Sequence, residues 1–361
     1  MRIGIAGTLA VLSCLHDPRG ASAQLRDDLH IEVGGMRPGS GVGGGLEYYS
    51  DHFANGLLDV RLESKLSIRL YQQHEMEIVR QHFLYPKVYL RVIGLYRSYT
   101  QIDYFGIGPD TVEGNHSNYR LAGPAVLGTV GIRAHRNLQV AARIGYLRVT
   151  IGEGTDGNLP SIEERFEPES IPGLVDEPDH YLFGPILTVD SRNDPEDPTT
   201  GLYYLIESSA YRDRGFNRYD FQDLELDLRH FVPVTARSTL AVRARGLFTW
   251  TADGQTVPFY HLPALGGSDS LHAFENDRFR HGNLFFLSNE LRYQATPEIR
   301  LEVFVDAGQV APRADAFRLG ALRFSYGIGA RYKLGRTVLI GVDAGFGAEG
   351  GRVSFKGDFR F

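Results

Sequence analysis

LRFSYGIGARY, residues 322–332, decides the fold. Phe324, Tyr326, Ile328, Ala330 and Tyr332 fall on one face of an extended chain; Arg323, Ser325, Gly327, Gly329 and Arg331 fall on the other. Successive side chains of a strand point to opposite faces, so a period of two reads as β-structure. One face is apolar and often aromatic, and the other is charged or glycine. The same alternation runs through residues 221–229, Arg300 to Asp306, Val338 to Phe346 and Val353 to Phe361. Composition agrees: 42 Gly, 21 Phe and 19 Tyr stand against 3 Met and 1 Trp, and little of the chain carries a helical pattern.

Two architectures alternate in this way. In a soluble sandwich the apolar face is the core and the charges meet water. In a membrane barrel the apolar face meets lipid and the charges line the lumen. Three features favour the barrel. Arg2, the apolar run from Ile3 to Leu15 and the small residues Ala21-Ser22-Ala23 make a secretion signal over residues 1–23. The alternating segments have about the length that a tilted strand needs to cross a bilayer. The chain also ends on an aromatic strand with no tail, as a closed sheet without open edges allows. The expectation is an all-β, transmembrane antiparallel barrel over residues 24–361, in one domain.

Sixteen strands can be counted, with fourteen as the alternative, because the first four are the least regular. Short turns are expected at Leu84-Tyr85-Pro86, His135-Arg136, Val232-Pro233-Val234, Thr296-Pro297 and Gly335-Arg336, and long loops at 99–116, 152–179, 250–280 and 310–320. Short and long connections alternate, as in outer-membrane barrels, which places the short ones on the inner side.

Other classes recede. The net charge of −6 argues against a nucleic-acid partner. The one cysteine, Cys14, leaves with the signal, so the mature chain has neither disulfides nor thiolate metal sites. Ser268, Ser270, His261 and His272 lie close in sequence, but nothing marks an orienting group or an oxyanion site, so no enzyme, metal or cofactor is expected. The acidic residues between Glu153 and Asp179 lack the spacing of a calcium loop and are expected to be a solvated surface loop. The arginines and carboxylates of the lumen face, Arg243, Arg292, Arg300 and Arg331 with Asp227, Glu290, Glu302 and Asp343 among them, are expected to pair in a static network rather than line a path.

Six segments, in order over residues 104–361, resemble the BamA/TamA-type superfamily of outer-membrane assembly factors and two-partner secretion transporters (bacterial surface antigens). Residues 104–109 match a stretch of its smaller members. Asp190, Arg192, Asp194 and Pro195, then Pro198 and Gly201, match its inner turn between strands eight and nine. Gly266-Gly267 and the following Leu271-His272-Ala273-Phe274 match its sixth outer loop, which folds back into the lumen. Residues 288–293, 303–310 and 325–329 match strands twelve, thirteen and fourteen.

The resemblance implies a lock between the loop tip and Asp306. His272 stands where the family has arginine, and Ala273 where it has glycine. An imidazole offers fewer donors than a guanidinium and loses its charge near neutrality, so Arg278 or Arg280 is the alternative partner. Phe274 completes the tip. Phe359 and Phe361 match the aromatic positions of the family's C-terminal insertion signal, although Lys356 stands where glycine is usual. The family's larger members carry soluble polypeptide-transport repeats before the barrel, and residues 24–40 are too few to hold one.

By this resemblance the chain is expected in the bacterial outer membrane, against lipid and lipopolysaccharide, inserted by the barrel assembly machinery. Its activity would be insertion or translocation of a client polypeptide or lipid, at a weak seam between the first and last strands near Gly41, Gly43, Gly44 and Gly45. The alternative is a passive channel or structural barrel without insertase activity.

Overall fold

The computed structural model describes residues 28–34, 36–334 and 338–356. In chain order the strands are β1 (Asp28–Gly34), β2 (Gly43–His52), β3 (Leu58–Ser67), β4 (Gln72–Arg80), β5 (Val88–Tyr104), β6 (Ser117–His135), β7 (Leu138–Leu147), β8 (Thr150–Glu153), β9 (His180–Asp190) and β10 (Gly201–Asp213). They continue as β11 (Phe221–Thr235), β12 (Ser238–Trp250), β13 (Ala264–Leu265), β14 (Phe279–Arg280), β15 (Asn283–Gln294), β16 (Ile299–Ala311), β17 (Arg323–Leu334), β18 (Val338–Gly347) and β19 (Gly350–Lys356). Seventeen of these form one antiparallel sheet, and β13 and β14 pair with each other. Four-residue β8 continues the wall beyond the end of β7 by pairing with β6, which leaves sixteen staves.

Each stave pairs with the next in sequence, from β1 with β2 to β18 with β19. Among the described residues no ladder joins β1 to β19. The two are therefore the free edges of the sheet, where the expected seam between first and last strands falls.

The exposure of the two faces separates barrel from sandwich. Val303, Val305, Phe324, Tyr326 and Ile328 are 49–61% exposed, whereas Glu302, Asp306, Ser325 and Asp343 are 0–2% exposed. A sheet that turns its apolar face outward and its carboxylates inward suits lipid outside and a polar lumen inside. No helix of the described residues is long and apolar enough to cross a membrane.

The structure moves three expected features. Val232-Pro233-Val234 lies within β11, and the turn is at 236–237, because Thr235 pairs with Ser238. Pro233 sits at a break in the register, where a residue without an N–H costs the ladder least. Strand β5 runs on to Tyr104 through an irregularity between Tyr99 and Ile102, so the long loop begins later than residue 99. The glycines near the first strand open β2, where Gly43, Gly44 and Gly45 face Gly34, Val33 and Glu32 of β1. The turn at Gly335-Arg336, the secretion signal and the residues Phe359 and Phe361 lie outside the described residues.

The acidic loop is not free in solvent. Ile162, Ile171 and Leu174, set between its carboxylates, are buried with Val257, Phe259, Tyr260 and Leu262 of the loop after β12. Both segments pack on the inward aromatics Tyr104, Tyr119, Tyr211 and Phe221. The apolar residues enter the lumen while Glu164, Glu167 and Glu169 stay at the surface. The long-loop end of the barrel is thus stoppered by a hydrophobic cluster.

The rest of the lumen wall carries paired charges. Arg229 and Arg243 both grip Asp227, each with Nε 3.0 Å from Oδ1. Arg245 binds Glu225 at 2.9 Å and Arg143 binds Glu207 at 2.7 Å. Arg331 bridges Glu302 at 2.8 Å and Asp343 at 2.5 Å.

Candidate functional site: the inturned loop and its wall contacts

Residues 251–282 join β12 to β15 and fold back into the barrel. A 3-10 turn, Phe259–His261, is fixed by Arg280, whose Nη1 donates to the carbonyls of Phe259 (3.1 Å) and Leu262 (3.4 Å). The hairpin of β13 and β14 then carries the tip. Gly266 and Gly267 have φ of 127° and 88°, a region open to glycine and little else. A side chain on Gly266 would also meet the Glu275 carbonyl at 2.2 Å.

The tip closes on itself. The Gly266 N–H donates to Ser270 Oγ at 2.9 Å, the Ser270 N–H to the Gly267 carbonyl at 3.1 Å, and the Gly267 N–H to the Phe274 carbonyl at 3.2 Å. Ser270 is thereby occupied as a structural acceptor. His272, the nearest base in sequence, turns to Asp306 on the wall, and His261 is wholly buried elsewhere, its ring nitrogens without hydrogen-bond partners. The serines and histidines of this loop do not form a nucleophilic pair.

Leu271, Ala273 and Phe274 are buried with Leu265, Phe279, Leu284 and Phe286. They point His272 at the wall. Its Nδ1 lies 2.7 Å from Asp306 Oδ2 and its Nε2 lies 3.8 Å from Asp343 Oδ2. The ring packs 4.2 Å from that of Phe304. Asp306 also accepts from Ser288 Oγ and Ser325 Oγ, each at 2.7 Å. Glycines on β18 make room: a Cβ on Gly345 would come within 2.7 Å of His272 Cβ, and one on Gly347 within 2.8 Å of Ala273 Cβ.

Arg278 and Arg280, the alternative partners for Asp306, turn elsewhere. Arg280 holds the 3-10 turn. Arg278 reaches Glu349 with Nε at 3.0 Å and Nη2 at 2.9 Å, and donates to Thr111 Oγ1 and the Thr111 carbonyl, each at 2.8 Å. The neighbouring loop residues are just as engaged. Glu275 pairs with Arg352, Asn276 Nδ2 donates to Asp103 at 3.4 Å, and Asp277 binds Arg37 at 2.5 Å. Nothing in the local sequence marks Arg37, Glu349 or Arg352 as partners, because each is remote along the chain and lies in a turn or at a strand end.

At the opposite end, the inner turn folds around Arg192. Its guanidinium takes Asp190 at 2.7 and 3.0 Å and the Pro195 carbonyl at 3.1 Å, and stacks 4.6 Å from the Tyr203 ring. Asp194 Oδ1 accepts from the Glu196 N–H at 2.8 Å. Gly201 has φ of 98°, and a Cβ there would strike the Ser191 carbonyl at 2.3 Å. The turn also reaches other staves. Arg292 of β15 donates to the Pro198 carbonyl at 3.4 Å, Asp197 pairs with Arg300 of β16, and Lys333 of β17 lies 3.8 Å from Asp197.

An antiparallel barrel with a sixth long loop turned inward and held to its thirteenth stave defines a class of outer-membrane proteins. Residues 105–352 match the Omp85 superfamily domain, and the chain belongs to that superfamily. Its fold is similar to that of BamA from Haemophilus ducreyi lacking POTRA domains 1-3, with 17% identity and a TM-score of 0.69 over 91% of this chain and 69% of that one. It is also similar to CdiB from Acinetobacter baumannii (13% identity, TM-score 0.56, 91% of this chain and 58% of that one). CdiB from Escherichia coli gives 14% identity and a TM-score of 0.59 over 93% of this chain and 63% of that one. At these identities the likeness is one of fold, and the chain spans 58% and 63% of the two CdiB chains. A comparison with curated protein sequences finds no match. The superfamily is one of outer-membrane barrels and not of enzymes.

Proposed function

We propose that this chain, after removal of residues 1–23, is an integral outer-membrane barrel that inserts or translocates a polypeptide or lipid client at its seam. The observation that carries this is the stoppered lumen. Apolar loops close one end. A solute path through the centre would have to displace them, whereas a lateral path at β1 and β19 would not. Strand edges there can template an incoming strand by pairing with it. The His272–Asp306 contact and the contacts of Phe274 hold the inturned loop against the wall, and the barrel assembly machinery and lipopolysaccharide are its partners in the membrane. The rival is a structural barrel without insertase activity, favoured by the pairing of the lumen charges. Planar-bilayer recording with client photo-crosslinking at Leu29 and Ile31 separates the readings. The insertase predicts rare, brief openings and client adducts on β1. Steady conductance, or a silent barrel without adducts, overturns it.

A further inference from the structure

The inturned loop touches both sides of the seam within four residues. On the side of the last hairpin, Glu275 pairs with Arg352 of β19, and Arg278 binds Glu349 in the turn between β18 and β19. On the side of the first hairpin, Asp277 binds Arg37 in the connection between β1 and β2. Asn276 lies against Gly39 of the same connection, where an added Cβ would come within 3.1 Å of its Nδ2. Arg69 donates to the Gly39 carbonyl at 3.0 Å and holds that connection inward.

We propose that residues 275–278 are a latch that holds the seam shut from inside, with Arg37–Asp277 as the contact that must part when it opens. The loop is also held on the far side of the seam, through His272 on Asp306 and Arg278 on Glu349, and to the wall on the near side, through Asn276 on Asp103 and Arg278 on Thr111. The two sides differ in strength. Arg37 and Asp277 have side chains 5% and 1% exposed, so separating them leaves charges unpaired away from water, which is costly. Arg352 and Glu275 are 31% and 26% exposed, and such a pair is screened and weak. Arg278 and Glu349, 3% and 18% exposed, keep the last hairpin on the loop, so the first hairpin moving away from the loop is opposed mainly at Arg37. The latch deepens the seam reading above and rests on it for its purpose, not for its geometry.

The test is a spin-label distance between Ile31→Cys on β1 and Val353→Cys on β19, in the full chain with Cys14→Ser, folded in lipid bilayers. The parent is expected to give one short distance. Asp277→Asn and Arg37→Gln are each expected to move a several-fold larger fraction to longer distances, and the exchange Arg37→Asp with Asp277→Arg to restore the short one. Glu225→Gln, which breaks a lumen pair on β11 and β12, is expected to leave the distance alone. Should Asp277→Asn fail to fold, as judged by heat-modifiable migration, Arg37→Gln decides. The parental distribution in the single variants, or equal widening in Glu225→Gln, overturns the latch. No client is present, so an unchanged seam removes the latch and leaves insertion standing. A widened seam that handles no client does the reverse.

Discussion

Asp306 is fully buried and accepts from His272, Ser288 and Ser325 at once. Asp306→Ala strands three donors and should cost on the order of 3 kcal/mol, read as a lower temperature of heat-modifiable migration. His272→Arg, whose fork can still reach Asp306 and Asp343, should keep the loop seated. His261 makes the opposite prediction. It lies in the loop beneath His180, Tyr211, Phe221 and Tyr260, with ring centroids 4.9–5.3 Å away. Burial, then the neighbouring His180 and Arg97, hold its pKa well below the ordinary imidazole value of 6.5. Below that value the unfolded chain takes up a proton that the folded one refuses, so stability is lost as pH falls. Parent and His261→Phe should part company below about pH 6.5, the variant losing less; parallel pH profiles would sink the assignment. The sequence made the His272–Asp306 contact visible, because both residues stand at motif positions in family order. It could not show Arg37 meeting Asp277, 240 residues apart, since no periodicity records which loop tips meet.

Among elements, the loop tip and the wall that receives it were shaped together. Gly345 and Gly347 on β18 leave the volume that His272 and Ala273 occupy. Gly345→Ala should unseat the tip at a cost of about 1–3 kcal/mol and speed protease cleavage between Gly266 and Asp277, leaving the strands intact. Cleavage at the parental rate would mean that the seat is looser than the distances show. Strand identities were legible because alternation persists over many residues, as in β16 and β17. Their ends were less so. Val232-Pro233-Val234 looks like a turn by residue type, but a register break absorbs Pro233 within β11. The acidic loop looks solvated by charge count, but three buried apolar residues, Ile162, Ile171 and Leu174, outweigh the carboxylates that remain at the surface.

For the molecule as a whole, alternation could not say which face was outside, and only the exposure of Val305 and Phe324 against the burial of Asp306 and Asp343 does so. The same inversion lines the lumen with paired charge, and the reading proposed above makes the seam the place where the barrel acts. That claim is tested most directly by a reversible disulfide across the seam, between a cysteine at Leu29 or Ile31 on β1 and one at Val353 or Phe355 on β19, with Cys14→Ser. Oxidised barrels should stop inserting or translocating client, or reproduce the phenotype of cells lacking the chain, and reductant should restore them. A locked barrel that works as well as the reduced one would contradict the account and leave a structural role.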